Sequence, residues 1–142
     1  MKNFERSESM LNTLDNREKF IESMICFLSQ KYDLSDTQVF VFGSFLTNEF
    51  VPGKSDIDIG VYSENETKMY DIKIELDKYL SKFNIEHDIV IMHLNSNLWI
   101  NIPIMTYGKQ LTSYESESLF NYLLDMINKW GFNPAEKLRE VV

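Results

Sequence analysis

Apolar residues recur along this chain in two rhythms, and each rhythm assigns a different kind of element. Phe20, Ile21, Met24, Ile25, Leu28 and Tyr32 fall three and four apart, which lines one face of a helix from about Arg17 to Lys31, capped by Asn16. Met69, Ile72, Leu76, Leu80 and Phe83 mark a second helix from about Glu66 to Phe83. Leu119, Phe120, Leu123, Leu124 and Ile127 mark a last one from about Glu115 to Trp130, with Gly131 as its C-cap and Asn133-Pro134 opening a short final helix. Between these stripes lie short β-branched runs that read as buried strands: Val39 to Ser44, Ser55 to Val61, and about Ile85 to Met92.

The remaining segments are less regular. Residues 1–15 are polar and are expected to fray, and 94–105 are apolar but broken by Asn95, Asn97, Asn101 and Pro103, which suggests a short helix. Lys109 to Thr112 reads as an edge strand. The order strand, loop, strand, helix, strand predicts an α/β (α+β) fold, a small mixed β-sheet with helices packed on one face. No repeat or linker divides the chain, so residues 1–142 form a single domain. Its core spans about 36–112, with flanking helices at about 16–32 and 115–131.

Composition supports an ordered chain: 142 residues, 44% hydrophobic and 13% aromatic, are enough to bury a core. No apolar run reaches the length of a membrane span and the N-terminus lacks a signal-peptide core, so the expected compartment is the cytoplasm. The single cysteine, Cys26, lies between Ile25 and Phe27 and reads as a buried thiol. A net charge of −8 argues against holding long nucleic acid by phosphate neutralisation, though not against binding one nucleotide.

Three carboxylates change the picture most. Asp56 and Asp58 lie two apart in an apolar run, so both project to one side while Ile57, Ile59 and Val61 line the other. Asp88 opens a later apolar run. If its strand is adjacent, the charges converge, and at roughly 4 Å like charges repel by about 4 kcal/mol at an effective dielectric near 20. A divalent cation relieves that repulsion, and an all-oxygen donor set favours Mg²⁺ or Mn²⁺. Gly43 and Ser44 end the first apolar strand, where a turn into a helix would expose backbone N–H groups to an anion such as a nucleotide phosphate. A phosphate cradle beside carboxylate-held metal is the equipment for in-line displacement at phosphorus.

Gly43-Ser44, a loop, Asp56-Ile57-Asp58 and then Asp88 together resemble the DNA polymerase β-type nucleotidyltransferase superfamily, in particular its minimal nucleotidyltransferase branch. The resemblance covers about residues 36–112. It implies that Asp56, Asp58 and Asp88 are catalytic and metal-binding, that Gly43 and Ser44 bind the phosphates of ATP, and that Asp88 helps to activate the attacking hydroxyl. It also implies a partner. Stand-alone members of this size resemble the antitoxin half of a bacterial toxin–antitoxin pair, in which AMP is added to a tyrosine of a HEPN-domain ribonuclease. The chain departs from the branch in its loop: the eleven residues from Phe45 to Ser55 contain no Arg, and Lys54 is their only cation. Two alternatives therefore stand beside the enzyme, a binding module that neutralises its partner by occlusion and a small-molecule nucleotidyltransferase. His87 and His93 flank the third carboxylate, but neither has the spacing of a zinc ligand, and His87 should point away from Asp88 toward the surface or a partner.

Overall fold

A computed structural model describes residues 10–94 and 98–130. Helix α1 spans Leu14–Lys31, and strands β1 and β2 span Thr37–Phe42 and Ile57–Ser63. Helix α2, Glu66–Lys82, then leads to β3, His87–Ile91, and α3, Leu98–Tyr107, leads through β4, Lys109–Gln110, to α4, Glu117–Trp130. The expected terminal elements at Gly131 and Asn133-Pro134 lie outside the described residues.

The sheet order is β3-β2-β1-β4. β1 runs antiparallel to both β2 and β4, whereas β2 and β3 are parallel, with α2 as the crossover between them. Strand alternation does the sorting. Ile57, Ile59 and Val61 are completely buried, as are Ile72, Leu76 and Leu80 of α2 and Met24 and Leu28 of α1. An aromatic cluster joins the two helices: the Phe20 and Phe83 rings meet edge to face at 5.6 Å, and Phe27 stacks on Tyr79 at 4.7 Å.

The opposite face of the sheet is partly roofed. Gly60 alternates with Ile59 and Val61, so it faces the Asp58 side, and a Cβ there would stand 3.0 Å from Met92 Sδ and 3.1 Å from Ile104 Cγ2. The missing side chain lets α3 settle over the middle of β2, while Asp58, two residues back on the same face, stays half-buried.

Several boundaries differ from expectation. Helix α1 begins earlier, because Thr13 rather than Asn16 caps it: the Asn16 amide donates to Thr13 Oγ1 at 3.1 Å. Leu11 is buried, so order reaches into the segment expected to fray. Cys26 is exposed rather than buried, since adjacent helical residues point about 100° apart and apolar neighbours in sequence do not share its face.

Candidate active site

Asp58 is the second residue of β2, and the register gives it a neighbour on each side. It lies opposite Phe42 in β1 and opposite Asp88 in β3. Register partners share a face, so Phe42, Asp58 and Asp88 form one row across three strands, with Asp58 and Asp88 adjacent. Asp56 stands just before β2, exposed, and the Ile57 amide ties that entry to the Glu86 carbonyl at 2.9 Å. The charges sense one another. Burial, then the Asp88 carboxylate, then that of Asp56 push the Asp58 carboxyl up from 3.8 to about 6.

The turn after β1 closes tightly over this row. Gly43 has φ +72°, a left-handed conformation that side chains disfavour, and a Cβ there would collide with Asp58 Oδ2. The sequence led us to expect a helix after Ser44, but residues 43–46 form turns. Thr47 accounts for this: its hydroxyl donates to the Ser44 carbonyl at 2.8 Å and accepts the Glu49 amide at 3.1 Å, competing with helical bonding. Amides are nonetheless displayed. Among the described residues, no acceptor engages the N–H groups of Ser44, Phe45, Leu46 or Asn48. Such a run of unpaired donors suits an anion.

Sequence reasoning missed the anchors of this turn. Phe45 is fully buried and meets Phe50 edge to face at 4.9 Å. Arg17 of α1, only 4% exposed, reaches the same segment. Its signal was visible: position 17 precedes Ile21 by four and Met24 by seven, inside the apolar stripe, where a solvated Arg has no place.

The histidines serve packing. His87 bridges the Asp77 carboxylate at 2.9 Å and the Ile85 carbonyl at 2.8 Å, so it faces away from Asp88 as expected but is held by α2 rather than offered to a partner. His93 meets the Tyr70 hydroxyl at 2.7 Å. Lys54 is exposed at the far end of the loop.

The donor set of Asp56, Asp58 and Asp88 fits a hard divalent cation in kind, being oxygen only and anionic. The Asp58 carboxyl is raised first by its burial and then by the Asp88 and Asp56 charges, and a cation would offset the charge part of that cost. As they stand, the side chains are spread: among the described residues no three His, Cys, Asp or Glu side chains are grouped closely enough to enclose an ion. Like charges lower their energy by standing apart, and a bound cation would remove that repulsion. No described helix is long and apolar enough to cross a membrane.

Comparison with known proteins agrees with this fold. Among curated proteins none matches the chain in sequence. The fold is similar to that of a chain from a toxin–antitoxin complex with AMP-PNP, at 21% identity, 84% coverage of this chain and 94% of that one, and a TM-score of 0.52. It is likewise similar to a chain of the tri-AMPylated Shewanella oneidensis HEPN toxin in complex with MNT antitoxin, at 19% identity, 88% and 95% coverage and a TM-score of 0.51. A chain of the MntA-HpeT toxin–antitoxin mutant gives 18% identity, 84% and 93% coverage and the same TM-score of 0.51. These likenesses establish the fold. The nucleotidyltransferase domain profile matches residues 21–122, well over half of the sequence and including Gly43, Asp58 and Asp88, so the chain belongs to the nucleotidyltransferase domain family.

Proposed function

We propose that this chain transfers AMP from ATP to a hydroxyl of a protein acceptor, a tyrosine of a HEPN-type ribonuclease toxin, and thereby acts as its antitoxin. The observation that carries this reading is the row in which Asp58 and Asp88 stand side by side while Gly43 brings a turn of unpaired amides against Asp58. The complexes of similar fold, one with AMP-PNP and one with a tri-AMPylated HEPN toxin, support the choice of nucleotide and acceptor.

The roles divide by position. Gly43, Ser44 and the amides that follow bind and orient the β- and γ-phosphates. Asp56, Asp58 and Asp88 would hold Mg²⁺ or Mn²⁺, which when bound neutralises the triphosphate and the charge that develops on the leaving oxygen. Asp88, exposed at the edge of the row, accepts the proton of the acceptor hydroxyl. The hydroxyl oxygen then forms its bond to the α-phosphorus, the bond from that phosphorus to the bridging oxygen breaks, and pyrophosphate leaves.

The test is co-expression with the neighbouring gene product, followed by intact mass spectrometry of that partner. A gain of one or more AMP units, lost with Asp56→Asn, is expected. Tight binding with no change of mass in ATP and Mg²⁺ would replace the enzyme with the occlusion module, a reading that the Arg-free loop favours.

A further inference from the structure

The buried guanidinium of Arg17 has no carboxylate partner among the described residues, although burying an unpaired charge is costly. It spends its donors on three main-chain carbonyls instead. Nε donates to Phe45 O at 2.7 Å, Nη2 to Thr47 O at 3.0 Å and Nη1 to Leu11 O at 2.9 Å, while its carbon lies 5.1 Å from the centre of the Phe50 ring. Two of those carbonyls belong to the turn that follows Gly43-Ser44, 28 and 30 residues away in sequence.

The peptide units concerned are trans, so a carbonyl drawn toward Arg17 sends the N–H of the same unit the other way. The units that end in the Phe45 and Thr47 carbonyls carry the amides of Leu46 and Asn48. These are among the donors that no acceptor engages within the described residues. A cation behind the carbonyls also polarises each unit, strengthening the outward N–H as a donor to an anion.

We propose that Arg17 is a positioning residue for the nucleotide: it fixes the turn from behind, so that the Leu46 and Asn48 amides are held out to a phosphate of ATP. The proposal rests on the nucleotide-binding reading above. It places the cation that the loop lacks beneath it, where the charge acts through peptide dipoles rather than by contact with the phosphate. Rigidity follows from the fork. Three bonds from one planar group to Leu11, Phe45 and Thr47 cannot be reproduced by a single ammonium.

The test compares Arg17→Lys with Met24→Ala, which empties a buried position of the same helix away from the turn. With Arg17→Lys the KM for ATP is expected to rise about 10-fold while kcat at saturating ATP stays within about two-fold, the signature of lost binding rather than lost chemistry. Met24→Ala is expected to lower Tm and leave that KM unchanged. Hydrogen exchange supplies the second readout: Arg17→Lys should accelerate exchange within residues 43–55 and beside Leu11, the segments that the guanidinium ties, and leave the strands unchanged. If Arg17→Lys does not fold, Phe50→Leu, which removes the ring beneath the guanidinium, should raise the KM in the same direction. An unchanged KM in the variant that folds, or a KM that rises equally in Met24→Ala, overturns the proposal. If the wild-type chain transfers no AMP, the proposed function falls while exchange still decides the clamp: unchanged exchange across 43–55 in Arg17→Lys refutes it.

Discussion

Strands β1 and β2 have two ends, and the sequence treats them in opposite ways. At the end bearing Thr37 and Ser63, polar groups find partners. The Thr37 hydroxyl lies 2.9 Å from Asp36 Oδ1 and 3.2 Å from Ser63 Oγ, and Lys68 donates to that same Asp36 oxygen at 2.9 Å. Glu64 accepts hydroxyls from Tyr62, Tyr114 and Ser116, while Gln38 donates to Gln110 and accepts the Ser116 amide, each at 2.9 Å. At the other end, Asp58 faces Asp88 with like charge, Gly43 is wound left-handed, and a run of amides goes unanswered. One end is a closed network that fixes the sheet. The other keeps its polar groups unspent, which is where a ligand has something to gain.

Three changes would break or sharpen that contrast. The largest effect belongs to the open end: Asp58→Asn should lower AMP transfer by about 10³-fold or more, because the row loses a carboxylate that would hold the divalent cation. Measured by single-turnover transfer to the purified partner, retention of more than a tenth of the wild-type rate would remove Asp58 from the machinery.

Next comes the closed end. Gln38→Ala strands the Ser116 amide and opens space at a buried position, so unfolding by urea should reveal a loss of about 2 kcal/mol. The transfer rate should remain within about two-fold of wild type, since the substitution lies away from the carboxylate row. A large fall in rate without a fall in stability would mean that the two ends communicate.

The smallest effect is a pH dependence. Asp58 titrates at about 6 when folded against 3.8 ordinarily, so the folded chain holds this proton more tightly than the unfolded chain does. Its contribution to stability is therefore complete below the lower value and is lost as pH rises toward the upper one. Solvent screening of a partly exposed carboxylate limits the change to about 1 kcal/mol. Unfolding series in EDTA across that window should show the decline in wild type and not in Asp58→Asn; equal slopes in the two would show that Asp58 is not strained.

Much of this contrast was legible in the sequence. Alternation in Asp56-Ile57-Asp58-Ile59 separated core from site because a strand has only two faces, and the stripes of α1, α2 and α4 showed helices for the same kind of reason. Side-chain competition with the backbone was harder to read. Both Thr13 and Asn16 are good caps, and only the fold chooses between them. Thr47 cancels a helix after Ser44 through two local bonds that no periodicity reveals. The clamp by Arg17 needs contacts between residues about thirty positions apart, which a single sequence does not display. The roof at Gly60 is of the same kind, since a glycine in a strand says that something comes close without naming α3.

The sheet order carries a consequence for what can be modified. β3 is an outermost strand, and Asp88 stands exposed upon it with no further strand beyond among the described residues. An acceptor can therefore arrive sideways, in the plane of the sheet, without threading a pocket. A folded partner brings its own footprint, about 800 Å² in an ordinary association, and needs only to leave one hydroxyl at the border. On the proposed function, selectivity in such an arrangement would be set by how two bodies dock, and the chemistry would follow whichever side chain the docking delivers.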